Sequence, residues 1–68
     1  MMVYCATDVV NVVADINLLR NDPEAAHSLE DELYAQVLGA VVAGHPEARE
    51  MARYALTSKN ISFPRWMV

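Results

Sequence analysis

Apolar side chains recur at helical spacing in the first third of the chain. Five of them share one narrow stripe of a helical wheel: Val9, Val12, Val13, Ile16 and Leu19. This stripe predicts a first helix over residues 8–20, with Thr7 or Asp8 as the N-cap, because either side-chain oxygen can accept a free backbone N–H. The valines are an argument against a helix, since β-branched residues favour strands, and an extended segment over residues 2–6 stays open.

A second helix is indicated by residues that are typical of helix starts and helix ends. Asp22 is suited to the N-cap and Pro23 to the first helical position, where the fixed φ of proline fits and its missing N–H costs nothing. Ser28 offers a second possible start. Gly44 is typical of a helix C-terminus. The predicted helix covers residues 23–43, or begins at Ser28 after a short turn.

The second helix is apolar around more than half of its circumference. One side carries Leu29, Leu33, Val37, Ala40 and Val41, and a further three residues widen it: Tyr34, Leu38 and Val42. A helix with so broad an apolar arc is contacted on more than one side. We therefore expect it in the middle of a small bundle.

The third helix is predicted over residues 46–57, with Pro46 in its first turn. Its inward positions are Ala48, Met51, Ala52, Ala55 and Leu56. The tail, residues 61–68, should dock, because burying a large apolar side chain stabilises by roughly 2 to 3 kcal/mol. The sequence thus predicts an all-α fold: a single three-helix domain over residues 1–68 with an ordered aromatic C-terminal tail.

Length and cysteine usage limit the sources of stability. A chain of 68 residues builds only a thin core, and its one cysteine, Cys5, allows no internal disulfide. A lone cysteine also favours a reducing compartment. With no signal-peptide pattern near the N-terminus, the predicted location is the cytoplasm. The longest apolar run, Val37–Gly44, is far shorter than a membrane span, so no membrane association is expected.

Charge narrows the possible partners. The formal net charge is −4 at pH 7, with −6 in residues 1–44 and +2 in residues 45–68. So few basic residues are a poor match to a phosphate backbone, so nucleic acid is not an expected partner. The two unlike halves suit contacts within one fold or a head-to-tail contact between copies.

One cluster has the composition of a metal site. Glu24, His27 and Asp31 share a face if the second helix is continuous, and a Glu-x-x-His pair is one element of carboxylate-bridged metal sites in helical bundles. Glu47 and Glu50 would complete the site from a second subunit, because they lie on the outward side of the third helix. The alternative interpretation is an ordinary helix start, in which acids face the positive end of the helix dipole.

Other candidate residues suggest binding rather than catalysis. Arg49 and Arg53 lie one turn apart and suit a partner carboxylate, and Phe63 and Trp66 suit an apolar contact. No catalytic residue is assigned. Cys5 has no neighbouring base, and the chain has no glycine-rich phosphate loop.

One acidic residue is out of place in this pattern. In a continuous helix Glu30 points into the apolar arc, where an unpaired carboxylate is costly. Either the helix breaks near Ser28, or Glu30 lies at the end of the core beside a base such as Arg65 or Arg20.

Two resemblances rest on short motifs. Residues 24–34 (EAAHSLEDELY), residues 55–57 (ALT) and residues 61–66 (ISFPRW) resemble a group of short bacterial and phage-borne proteins with no established activity. This resemblance implies a bacterial or phage origin and no particular chemistry. The Glu-x-x-His and Glu-x-x-Glu spacing is also similar to that of the all-helical MazG-type nucleotide pyrophosphatases, which implies magnesium held by paired acids.

The leading expectation is a cytoplasmic, non-enzymatic interaction or regulatory protein that binds a protein partner or itself and needs no cofactor. The reason is that no catalytic constellation stands out and a thin, alanine-lined core gains stability from a partner. The alternative is a metal-dependent hydrolase that uses the acidic cluster and His27.

Overall fold

The computed structural model describes residues 1–65 and confirms the predicted all-α, three-helix fold class. Helix α1 spans Ala6–Leu18, α2 spans Pro23–Val42 and α3 spans Ala48–Leu56, and a 3₁₀ turn follows over Thr57–Asn60. Each α-helix contacts the other two. No helix among residues 1–65 has both the length and the apolar character needed to cross a membrane.

Helix α1 begins two residues earlier than predicted, and neither Thr7 nor Asp8 is its N-cap. The N-cap is Cys5, whose backbone is extended and whose side chain makes no capping bond. Asp8 instead accepts a hydrogen bond from the backbone N–H of Tyr4 at 2.8 Å. The first helical N–H, that of Ala6, donates to Oε1 of Glu47 at 3.1 Å. The carboxylate of Glu47 therefore accepts a free N–H at the start of α1, where the sequence predicts capping by Thr7 or Asp8.

Helix α2 begins at Pro23, as its first start signal predicts. Asp22 accepts a hydrogen bond from the backbone N–H of Ala25 at 3.3 Å, which satisfies one of the free donors of the first turn. The helix runs through Ser28 without a break. Glu30 is therefore held in the apolar arc, and the structure must pair its charge.

Helix α2 ends in a glycine cap. Gly44 has a φ of +73°, in the left-handed region. Its N–H donates to the carbonyl of Val41 at 3.1 Å, and the N–H of His45 donates to the carbonyl of Ala40 at 3.0 Å. These two bonds form the Schellman arrangement, which satisfies carbonyls that have no partner within the helix.

The chain then turns around the ring of His45, so α3 begins at Ala48 and not at Pro46 as predicted. Nδ1 of His45 accepts a hydrogen bond from the N–H of Glu47 at 2.9 Å. Nε2 then carries the proton and donates to the carbonyl of Tyr4 at 2.8 Å. The imidazole thus joins the N-terminal segment to the turn between α2 and α3, and Pro46 is absorbed into that turn.

The core lies on one side of each helix. Its members are Val3, Val9, Val12, Ile16, Ala26, Leu33, Val37, Met51, Ala55 and Phe63. Phe63 is only 8% exposed, so the tail docks on the helices at least as far as this residue. The predicted docking of Trp66 lies outside the described residues.

Helix α2 is contacted by both α1 and α3, as expected for the middle of a small bundle, but residues 1–65 leave part of its apolar arc uncovered. Leu33 and Val37 are buried, but Leu38 is 65% exposed and Val42 is 89% exposed. Helices α1 and α3 pack on the side of α2 that carries Leu33 and Val37. The second apolar side of α2 therefore faces solvent.

The glycine within α2 and the glycine that caps its C-terminus should respond oppositely to alanine. Gly44→Ala forces an L-residue into the left-handed region and should lower the free energy of unfolding by about 1 kcal/mol. Gly39→Ala should raise it by up to about 1 kcal/mol, because a Cβ there meets nothing within 4 Å and alanine favours the helix. Urea denaturation of both variants checks this, and equal effects of the two substitutions would contradict the assigned glycine cap.

Candidate interaction surface

The uncovered side of α2 continues onto α3 as an apolar surface, which we call the α2–α3 face. It consists of four exposed side chains: Leu38 (65% exposed), Val41 (51%), Val42 (89%) and Leu56 (62%). The sequence from Leu33 to Gly44 contains no charged residue, so no ionised group interrupts the α2 part of this face. Contiguous exposed apolar side chains on a small soluble protein commonly mark a binding surface.

A groove between the two helices lies within this face. Its volume is about 340 Å³, and it is lined by apolar surface of Tyr34, Val37, Leu38, Ala52, Ala55 and Leu56. The two alanines leave the groove open, because they bring little side-chain volume between α2 and α3. A groove of this kind accepts apolar side chains and offers no hydrogen bond to a polar ligand.

Charged residues lie at opposite ends of the face. Asp31 is two helical turns before Leu38 on the same side of α2, and its side chain is 64% exposed. Arg49 is two turns before Leu56 on the same side of α3, and Arg53 lies between them. All three are exposed. The α2 side of the face therefore begins at an acid and the α3 side begins at two arginines, while Lys59 lies beside the Tyr34 ring, one helical turn from Asp31.

The predicted metal cluster is only partly brought together. Nε2 of His27 lies 3.2 Å from Oδ2 of Asp31, but Glu24 and Glu50 are exposed and Glu47 accepts the N–H of Ala6. Among residues 1–65 no group of three or more histidine, cysteine or acidic side chains is arranged to hold a metal ion. Since the hypothesis placed two ligands on a second subunit, it stays a prediction.

The predicted interaction residues separate into two kinds. Arg49 and Arg53 are exposed on α3, beside the α2–α3 face. Phe63 is a core residue, because the tail folds back over the helices, and it is therefore unavailable for an exposed apolar patch. Trp66 lies outside the described residues.

A buried ion pair fastens the tail to α2. Glu30 is 1% exposed, and its two carboxylate oxygens accept from Arg65: Nε to Oε1 at 2.9 Å and Nη2 to Oε2 at 3.2 Å. Nη2 of Arg65 also donates to the carbonyls of Ser58 at 2.8 Å and Ile61 at 3.0 Å. The guanidinium stacks on the ring of Phe63, with 3.8 Å between its central carbon and the ring centroid. Of the two bases that the sequence offered, the structure pairs Arg65 with Glu30.

A chain of hydroxyl groups completes the polar network. Oγ of Ser58 donates to Oε2 of Glu30 at 2.6 Å. Because that bond uses the only hydroxyl proton of Ser58, the Tyr34 hydroxyl must be the donor in its contact with Ser58 Oγ. The ammonium group of Lys59 lies 4.0 Å from Oε1 of Glu30 and 5.4 Å from the centroid of the Tyr34 ring.

These contacts determine the ionisation of the buried carboxyl group. Burial raises the pKa of Glu30, since it penalises the charged form. The hydrogen bonds from Arg65 and Ser58 and the positive charges of Arg65 and Lys59 act in the opposite direction and together outweigh burial. The pKa of Glu30 is therefore lowered below its ordinary value, and the carboxylate is charged in the folded protein near neutral pH.

The hydrogen bonds of this network have a structural role, because they hold the tail and the 3₁₀ turn against α2. Ser58 is fully buried and its hydroxyl points at a carboxylate, so it is not accessible to a substrate. The sequence signal for this network was the position of Glu30 in an apolar arc. Ser58 and Tyr34 gave no such signal, because a serine after α3 and a tyrosine within α2 are ordinary residues at those places.

Removing Arg65 alone should lower the free energy of unfolding more than removing the charges of both Arg65 and Glu30. Arg65→Ala leaves the Glu30 carboxylate buried without its partner and should lower the free energy of unfolding by about 3 kcal/mol. Adding Glu30→Gln to Arg65→Ala removes the stranded charge and should recover at least about 1 kcal/mol. Urea denaturation of the single and double variants measures this coupling, and additive losses would show that the pair is not coupled.

Acid should destabilise the fold partly through Glu30. Because its folded-state pKa is lowered, its contribution is present above the unfolded-state pKa, about 4.3, and is lost as the pH falls through the folded-state pKa. Glu30→Gln should therefore flatten the dependence of unfolding free energy on pH below about pH 5. Glu24→Gln is the matched control, because it makes the same substitution at an exposed carboxylate of α2. A wild-type slope in Glu30→Gln would contradict the assignment.

Three comparisons with known proteins were made, and no family model, no curated protein and no solved structure matches this chain. The resemblances based on short motifs remain predictions.

Proposed function

We propose that this protein is a small, non-enzymatic interaction protein of the cytoplasm that associates with itself through the α2–α3 face. The observation that carries the proposal is the exposure of Leu38, Val42 and Leu56 on one continuous apolar surface. A chain of 68 residues has little core to stabilise it, so covering this surface would add a large fraction to its total stability.

The arrangement of polar groups supports binding over catalysis. Glu30, Ser58 and Arg65 satisfy one another inside the fold, and the groove beside them has an apolar lining. An enzyme site needs polar groups that converge on an accessible cavity. The groove of residues 1–65 offers apolar area instead, which suits another protein surface.

The size of the face sets the expected affinity. Together with its charged flank, from Asp31 to Val42, the face is about 17 Å long, at 1.5 Å per residue, and it is two helices wide, about 20 Å. This area is smaller than the roughly 800 Å² per partner of a standard stable interface. We therefore expect a dimer with a dissociation constant in the micromolar range, which forms and separates with concentration.

A charge placed in the face should prevent self-association. Leu38→Glu puts a carboxylate into the apolar contact, where it would be desolvated, and should weaken the dimer at least a hundredfold. Leu18→Glu is the matched control, because Leu18 is 76% exposed at the end of α1, away from the face. Sedimentation velocity over a range of protein concentrations measures both variants against the wild type.

The sedimentation results of the wild type and the two variants decide whether the face mediates self-association. A concentration-dependent dimer that Leu38→Glu abolishes and Leu18→Glu retains supports the proposal. A wild-type protein that stays monomeric at millimolar concentration, or equal loss in both variants, contradicts it. Circular dichroism of each variant confirms that the helices are retained.

A further inference from the structure

We infer that two copies pair face to face in an antiparallel sense, with Asp31 of each copy against Arg49 of the other. This inference rests on the proposed self-association and specifies the arrangement of the two copies. Its basis is the position of the two charged residues relative to the apolar centre of the α2–α3 face.

Helices α2 and α3 run in opposite directions side by side. The short turn after Val42 joins the end of α2 to the beginning of α3, and Tyr34 contacts Ser58 at the far end of the pair. Leu38 and Leu56 line the same groove between these ends. They therefore give one reference residue for the face on each helix, and Leu56 is the last residue of α3.

Each charged residue lies two helical turns before the groove leucine of its own helix. Asp31 is two turns before Leu38, about 10 Å along α2, and Arg49 is two turns before Leu56, about 10 Å along α3. Because the helices are antiparallel, these equal steps lead in opposite directions. The face thus ends in a carboxylate on one side and a guanidinium on the other.

Only one sense of pairing matches these charges. In this pairing the two-fold axis lies in the plane of the interface and is perpendicular to the line from Asp31 to Arg49. It places Asp31 of one copy on Arg49 of the other. Leu38 then meets Leu38 of the second copy near the axis. A parallel pairing would oppose Asp31 to Asp31 and Arg49 to Arg49, which like-charge repulsion disfavours.

Both groups are available for such a contact. The carboxylate of Asp31 is 64% exposed and contacts only His27 among the described residues. Arg49 is exposed and takes part in no ion pair within residues 1–65. The two-fold symmetry repeats the contact between Asp31 and Arg49, so it occurs twice in each dimer. A second copy of this protein therefore matches the charges beside the face, whereas an unrelated apolar surface does not.

Charge reversal tests the pairing. Asp31→Arg and Arg49→Glu should each weaken self-association about tenfold, because each replaces two attractions by two repulsions. Mixing the two variants should restore wild-type affinity, since each contact in the mixed dimer again joins unlike charges. Glu24→Arg is the matched control: it makes the same change of charge on α2 but lies further from the face and should leave the affinity unchanged. Sedimentation velocity at low salt measures all four samples.

Cysteine cross-linking tests the axis independently. In a Cys5→Ser background, Leu38→Cys should form a disulfide-linked dimer on oxidation, because residues near the axis meet their own copy. Glu24→Cys, on the same side of α2 but far from the axis, should form none. A parallel, in-register pairing would link both variants.

These results separate the arrangement from the self-association itself. Restored affinity on mixing, together with cross-linking through Leu38→Cys alone, supports the antiparallel pairing. If Leu38→Glu abolishes the dimer but mixing restores nothing, or if Glu24→Cys also cross-links, the arrangement is wrong and the self-association stands. A monomeric wild type overturns both.

Discussion

The broad apolar arc of α2 exceeds what two shorter helices can cover. Helix α2 has 20 residues, and α1 and α3, with 13 and nine, pack against one side of it. They bury Leu33 and Val37 but leave Leu38 and Val42 in contact with water. The same arc makes the core possible and creates the α2–α3 face. Among residues 1–65 no further helix packs on this side, so the second apolar side of α2 is exposed, and a fourth helix would be needed to cover it.

The carboxylate of Glu30 places a second constraint on the fold. It lies on the buried side of α2, so the chain must bring a cation to it. Arg65 does this from the tail, and its Nη2 group, which also donates to Glu30, is shared with the carbonyls of Ser58 and Ile61. The ion pair fixes the path of the tail and carries Phe63 onto the core. A tail held only by apolar contacts would lack this defined position.

The sequence predicted the helices, the apolar stripes and a basic partner for Glu30, but not the other long-range polar contacts. Pro23 and Gly44 define the limits of α2 because their backbone preferences act locally. Glu47 and His45 flank Pro46 at the predicted start of the third helix, yet their side chains bond to Ala6 and Tyr4 across the fold. Such partners are brought close only by the tertiary structure, so periodicity cannot reveal them. The apolar arc of α2 was recognised, but its incomplete coverage depends on where α1 and α3 end.

Tyr34 connects the buried network to the exposed groove. Its ring lines the groove beside Leu38 and Leu56, while its hydroxyl donates to Ser58, which in turn donates to Glu30. The hydrogen bond holds one wall of the groove in place, and this bond persists only while Ser58 keeps its position beside the ion pair. Loss of the tail clamp would free the Tyr34 side chain to rotate and change the shape of the face. The Glu30–Arg65 ion pair and the α2–α3 face are therefore linked through the side chain of Tyr34.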